Sequence, residues 1–256
     1  NYASMLTFAK GGANYLSVFE PATLPTDPIS PKTELNMILA AGIGMILAVG
    51  AAFLMEYLDD TIKTPDDVQR VLDTSALGII ARIAQISKPA DALIAAAHPK
   101  ASISEAYRVL RTNIQFAALG NPATSLLVTS AGPQEGKTTT LANLGVVIAQ
   151  AGLRTLVVDT DLRRPNLHKI FDVPNRQGLT NLLLADEPDV VGAAQVTSVP
   201  NLSVLTSGPQ PPNPAELLAS KKMDALIERM KRSYEAVLFD SPPVLAVADA
   251  SILASK

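Results

Sequence analysis

The chain has 256 residues, 48% of them hydrophobic, a formal net charge of −3 and a mean hydropathy of +0.23. The near-neutral balance excludes the global basic field of a nucleic-acid binder. The absence of cysteine excludes disulfides, thiolate nucleophiles and cysteine metal sites.

In chain order, the first patterned stretch is FEPATLPTDPISPK, with Pro21, Pro25, Pro28 and Pro31. Proline at that spacing disfavours helix and sheet and predicts a stiff, extended lead into the next element. That element is Leu35 to Met55, an uncharged run of about the length that crosses a bilayer core. Its glycines, Gly42, Gly44 and Gly50, suit a membrane helix better than a soluble one. Lys32 lies before the span and Lys63 and Arg70 after it. That bias is too slight to orient the helix. The first residue is Asn, so the chain reads as a fragment, with sequence expected beyond both ends.

After the span, Asp66 to Leu72 predicts a short helix begun by Pro65, and Leu77 to Ile83 predicts a strand. Ser87 to Ala101 has little pattern and reads as a linker. From Ser102 the pattern alternates. SISEAYRVLRTNIQF predicts a helix with Ile103, Tyr107, Leu110, Ile114 and Ala117 on one face and Glu105, Arg108 and Arg111 turned away from it. On these residues alone, Ser102 and Glu105 form a capping box and Glu105–Arg108 an ordinary surface pair. Ser125–Ser130, Thr155–Asp159, Asn201–Leu205 and Ala236–Asp240 predict strands. Gly136–Gly152 predicts a helix and Ala215–Tyr234 one or two. Short β-branched runs alternating with amphipathic helices imply an α/β fold, a parallel sheet with helices on both faces.

Thr129–Thr140 reads TSAGPQEGKTTT, between a predicted strand and a predicted helix. From Ala131 it matches A-x-x-x-x-G-K-T, a phosphate-binding loop with alanine in place of the first glycine. The loop residues Ala131, Gly132, Pro133, Gln134, Glu135, Gly136, Lys137, Thr138 and Thr139 are the candidate nucleotide contacts. Gly136 allows a turn that a Cβ would obstruct, and successive amides at a helix start face an anion. Lys137 supplies a charge for the β/γ-phosphates and Thr138 a hydroxyl for Mg²⁺. Two further strands end in acids: TLVVDTDLRRP supplies Asp159 and Asp161, and AVLFDSPP supplies Asp240. In an open parallel sheet, ligands bind beyond the carboxyl ends of the strands, so these acids converge on the loop. A single strand-end aspartate is usually a cap. Three around one phosphate loop are better read as metal and proton ligands. His98 and His168 stand far apart and read as ordinary histidines. PQPPNPAELL, Pro209–Leu218, reads either as a plain turn into a helix or as part of a base pocket or subunit contact.

The combination of TSAGPQEGKTTT, LVVDTDLRRP and VLFDSPP resembles the Walker A, A′ and B motifs of bacterial tyrosine kinases, relatives of the MinD-type ATPases. In that family the first Walker A position admits alanine. The lysine that MinD-type loops carry near the motif start is replaced here by Ser130 and Ala131, which favours the kinase branch. VFEPATLPTDPISPK, the span and EYLDDTIKTPDDV resemble the end of a chain-length-determinant (Wzz-like) domain. The resemblance implies a MinD-like P-loop fold preceded by one transmembrane helix. It divides the chain into the extracytoplasmic end of the chain-length domain (1–33), the span (34–56), a cytoplasmic juxtamembrane linker (57–101) and the kinase domain (102–256).

The implied activity is a membrane-anchored protein-tyrosine autokinase that uses ATP and Mg²⁺ and regulates exopolysaccharide chain length and export. Lys137, Asp159, Asp161 and Asp240 would be catalytic. Thr138, Asp161 and Asp240 would serve the metal, and Asp159 would orient or deprotonate the acceptor. Glu105, Arg108 and Arg111 match the E-x-x-R-x-x-R subunit-contact motif of the family. Implied partners are further copies in a ring, the bilayer of the bacterial plasma membrane, the polysaccharide export machinery and a tyrosine phosphatase, with no nucleic acid. The family's tyrosine-rich tail has no counterpart among Tyr2, Tyr15, Tyr57, Tyr107 and Tyr234. Two alternatives stand beside this reading: a MinD/ParA-type ATPase switch without kinase activity, and a structural co-polymerase subunit.

Overall fold

A computed structural model describes residues 30–59, 61–62, 64–83, 86–118 and 124–256. The prolines Pro21, Pro25 and Pro28 lie outside the described residues. The chain divides into two units, residues 1–62 and 63–256. In the first, helix α1 spans Thr33–Tyr57, with every side chain exposed. Its 25 residues extend about 37 Å. It is long and apolar enough to cross a membrane. A helix that buries none of its Leu, Ile, Met and Phe side chains needs an apolar surrounding.

In the second unit, α2 (Pro65–Leu72) begins where expected. Thr64 and Asp67 cap it reciprocally, each side chain bonding the other's backbone amide. Leu77–Ile83 forms no strand, contrary to expectation. Leu77 instead gives its carbonyl to the Asn113 amide at 2.7 Å, and Ile80 packs on the core. The apolar run is used for side-chain docking, not for pairing. Ser87–Ala101 is not a bare linker either. It holds a 3₁₀ turn at Pro89–Ala92 and helix α3 at Ile94–Ala97, with Ala92 and Ala95 buried. Asn143 holds both. Its Oδ1 accepts from Ala95 N at 2.9 Å, and its Nδ2 donates to the Ala92 carbonyl at 2.7 Å. The compact unit therefore begins before Ser102, the expected boundary.

Helix α4 spans Ser102–Ala117 and buries Tyr107, with Ile103, Leu110 and Ile114 partly covered; Ala117 is exposed. Its N-cap is Ala101, so Ser102 and Glu105 form no capping box. Then come β1 (Ser125–Val128), α5 (Lys137–Gln150), β2 (Thr155–Asp159), α6 (Leu167–Ile170), α7 (Leu179–Leu184), α8 (Val190–Ala193), β3 (Gln195–Val196), β4 (Leu202–Leu205), α9 (Pro214–Ala219), α10 (Lys221–Ser233), β5 (Ala236–Asp240) and α11 (Asp249–Ala254). The sheet order is β1-β5-β2-β4-β3. All pairs are parallel except the antiparallel edge β3–β4.

β2 and β5 are buried at every residue, which is why they read as continuous apolar runs. Their side chains alternate between two cores. Val157 and Leu238 join Tyr107, Leu141 and Leu144 on the α4–α5 face. Leu156, Val158, Val237 and Phe239 join Leu218, Met223, Leu226 and Met230 on the other. Gly145 lets α5 lie against the sheet, since a Cβ there would come within 2.6 Å of Val157 Cγ2.

Candidate active site

The sheet register sets the site. Asp159 and Asp240 are partners at the carboxyl ends of neighbouring strands, and Val128, the last residue of β1, is level with Asp240. The chain leaves β1 at that level, turns through Ser130–Gly136 and enters α5 at Lys137. Gln134 and Gly136 both take positive φ, 64° and 87°. The turn is locked to the loop after β5. Thr129 Oγ1 donates to the Pro242 carbonyl at 2.9 Å, and Val244 N donates to the Ser130 carbonyl at 2.9 Å. The first amides of α5 have no acceptors within their own helix, so the turn presents donors at a positive helix end.

Lys137 Nζ lies 3.3 Å from Asp161 Oδ2 and 3.4 Å from Asp240 Oδ1. Thr138 Oγ1 donates to Asp240 Oδ2 at 2.8 Å. The expected convergence of lysine, hydroxyl and two acids is therefore present. Asp240 is fully buried. Burial pushes its carboxyl up to about 6, against the lowering by Lys137 and the Thr138 hydroxyl. Asp159, expected to face an acceptor, is turned away from the open cleft. It is 0% exposed, and Oδ2 accepts from the amides of Asn166 and Leu167 at 3.0 Å each. Its Oδ1 is buried without a partner. Desolvation first, then the Asp240 and Asp161 charges, push Asp159 up to about 8. The shift favours its protonated form.

A cleft of about 750 Å³ opens over the loop. One wall is Pro133, Gln134 and Gly136–Thr139. The other is Asp161, Arg164, Pro165, Asn166, His168 and Lys169. Ala131, Gly132 and Glu135 belong to the same turn without lining this cleft. Arg164, His168 and Lys169 are absent from the site residues expected on sequence. They come just after the second acid motif, and Arg164 and Lys169 add positive charge to the cleft that the phosphate loop lines. Burial and the neighbouring Lys169 charge lower the His168 pKa, favouring its neutral form.

The donors at the two acids are all oxygens, which suits Mg²⁺, a cation that completes its shell with phosphate and water. Among the described residues no group of three or more His, Cys, Asp or Glu could hold a metal by itself.

Of the expected contact motif, Glu105 and Arg108 pair at 2.7 Å on the exposed face of α4. Arg111 does not join them. Its Nη1 donates to the Val147 carbonyl of α5 at 2.8 Å. The long side chain folds back over the helix pair, which its position on the helical wheel does not reveal.

A family model described as an AAA domain matches residues 132–256. The tyrosine-protein kinase YwqD of Bacillus subtilis (strain 168) is 50% identical over 161 residues, covering 63% of this chain and 68% of that protein. The chain belongs to the bacterial tyrosine-protein kinases. The tyrosine-protein kinase ptk of Acinetobacter johnsonii is 32% identical over 262 residues, 99% of this chain and 36% of that longer protein. That match takes in α1 as well as the nucleotide-binding unit. Among solved structures, the chimerical protein CapA2B2 superposes with a TM-score of 0.69 at 40% identity, covering 75% of this chain and 81% of that one. The kinase domain of the Escherichia coli tyrosine kinase ETK gives 0.68 at 31% identity, covering 76% and 79%. In this tyrosine-kinase chain the shared architecture is the P-loop sheet just described.

Proposed function

We propose that this chain is a membrane-anchored protein-tyrosine kinase that transfers the γ-phosphoryl of ATP to tyrosine. The observation that carries the reading is the convergence of Lys137, Thr138, Asp161 and Asp240 at the mouth of a phosphate loop. Phosphoryl transfer asks mainly for positioning and charge stabilisation. The amides of Gln134 and of Gly136 to Thr139 hold the phosphates, with Lys137 swinging from the carboxylates to the β/γ oxygens. Thr138, Asp161 and Asp240 hold Mg²⁺, which when bound neutralises charge on the transferring group. Asp161, which lines the cleft, is the acid placed to meet a hydroxyl entering it. Asp159, buried, holds the Asn166–Leu167 turn in place.

The acceptor tyrosine comes from another segment or another copy. Among the described tyrosines Tyr107 is only 1% exposed and cannot serve, whereas Tyr57 is 84% exposed. Copies assemble through the outer face of α4, where Glu105 and Arg108 lie beside exposed Val109 and Phe116. α1 crosses the plasma membrane, with residue 56 onward in the cytoplasm, where ATP is, and Asn1–Lys32 outside. Partners are the polysaccharide polymerisation and export machinery, whose chain length the kinase regulates, and a tyrosine phosphatase.

The test is incubation of the purified full chain with ATP and Mg²⁺, then phosphotyrosine detection. Phosphotyrosine supports the kinase reading. Hydrolysis of ATP without phosphotyrosine supports an ATPase switch instead, and failure to bind ATP leaves only a structural role.

A further inference from the structure

The loop that carries Asp161 is tied at several points. Thr160 is fixed to β5, its amide donating to the Asp240 carbonyl at 2.9 Å and its hydroxyl at 2.6 Å. Asp161 Oδ1 accepts from Arg164 N at 3.0 Å, so this carboxylate shapes its own loop. Asp159 Oδ2 secures Asn166 and Leu167 beyond it. Leu162 is buried in the core, which leaves Arg163–Pro165 as the outer part of the loop.

Arg163 ties this part down. Its guanidinium makes a two-pronged contact with Asp249, Nε to Oδ2 at 2.8 Å and Nη2 to Oδ1 at 3.1 Å. Asp249 is 0% exposed and lies at the start of α11, after the loop that leaves Asp240. The Arg163 carbonyl is held as well, by Gln210 Nε2 at 3.2 Å. A fork of this kind fixes angle as well as distance, which a lysine ammonium cannot do. The pair joins the loop after β2, which bears Asp161, to the segment after β5, which follows Asp240.

We infer that Arg163 and Asp249 are positioning residues for the nucleotide's metal: their fork sets the Asp161 carboxylate relative to Asp240. Neither residue touches the cleft, so neither is catalytic. The inference rests on the reading of Thr138, Asp161 and Asp240 as the Mg²⁺ site.

The experiment measures nucleotide affinity of the full chain with a fluorescent ATP analogue, with and without Mg²⁺. The ratio of the two dissociation constants reports metal placement and is insensitive to a uniform loss of stability. Arg163→Lys keeps the charge and is expected to fold. Asp249→Asn keeps the shape and removes the ionic contact. Each is expected to cut the Mg²⁺-dependent tightening about tenfold, equivalent to about 1.4 kcal/mol, with metal-free affinity within about twofold of wild type. The double variant is expected to lose little more than either single one, because both remove the same contact. An unchanged ratio in a folded Arg163→Lys protein overturns the inference. So do losses that simply add in the double variant. Failure of the wild type itself to show Mg²⁺-dependent tightening would instead count against the metal site.

Discussion

Asn143→Leu is the sharpest probe of how the segment before α4 is joined to the phosphate-loop helix. Asn143 is 0% exposed. Its side chain satisfies the Ala95 amide and the Ala92 carbonyl, at 2.9 and 2.7 Å, and donates again to Thr139 O at 2.9 Å. Leucine is of similar size, so the change leaves little cavity. It does strand two buried backbone groups, Ala95 N–H and Ala92 C=O. Each such orphan costs about 1–3 kcal/mol, so the variant should lose about 2–6 kcal/mol. For a domain of this size that corresponds to a fall in Tm of roughly 5–20 °C. Calorimetry gives the Tm, and hydrogen exchange at the Ala95 amide localises the effect, with faster exchange there expected at temperatures well below melting. Asn143→Asp separates donor from acceptor. It keeps an oxygen for Ala95 N but sets a carboxylate against two carbonyls, and should be at least as damaging. An unchanged Tm together with an equally protected Ala95 amide would refute the claim that this one side chain anchors residues 89–97.

Gly136→Ala tests the turn. No atom lies within 4 Å of the added Cβ, so the penalty is the positive φ of 87° alone. That cost is about 1–2 kcal/mol, expected as a modest Tm loss with a larger loss of ATP affinity as the amides reorient. Asp159 gives a pH dependence. Its folded pKa, about 8, lies above its unfolded value, so its stabilising contribution is whole below about pH 4 and is lost as pH rises through 8. The Tm without nucleotide should fall between pH 5 and pH 8 by several degrees, and Asp159→Asn should flatten that slope. An unchanged slope contradicts the buried, protonated state. Glu105→Ala with Arg108→Ala should shift sedimentation toward the monomer while ATP binding stays within about twofold. Persistence of the assembly would discard the α4 face as the contact.

The interior strands and the phosphate loop are legible because they obey local rules. β2 and β5 are unbroken apolar runs ending in acids, and the glycine–lysine turn lies between a strand and a helix. Leu77–Ile83 misleads for the same reason. An apolar run of that length looks like a strand whether it pairs or, as here, only docks through Gly78 and Ile80 against α4 and the core. Pro89–Ala97 is illegible because its helices are a turn or so each and owe their form to Asn143 and to Gln150, whose Nε2 reaches the Ala95 carbonyl. Asp159 reads as an open acid because its spacing to Asp161 is clear, whereas the chain's return over it at Asn166 is not. The Arg163–Asp249 fork spans 86 residues, and nothing near Asp249 announces a partner at that range.

The account stands on where a nucleotide's phosphates and its metal lie. A crystal structure of the residue 63–256 unit with a non-hydrolysable ATP analogue and Mg²⁺ measures this directly. We predict phosphates bonded to the amides at the start of α5, Lys137 Nζ moved onto them, and Mg²⁺ ligated by the Thr138 hydroxyl with Asp161 and Asp240 beside it. Phosphates bound away from Gly136–Thr138, or a metal bound away from Thr138, Asp161 and Asp240, would contradict it.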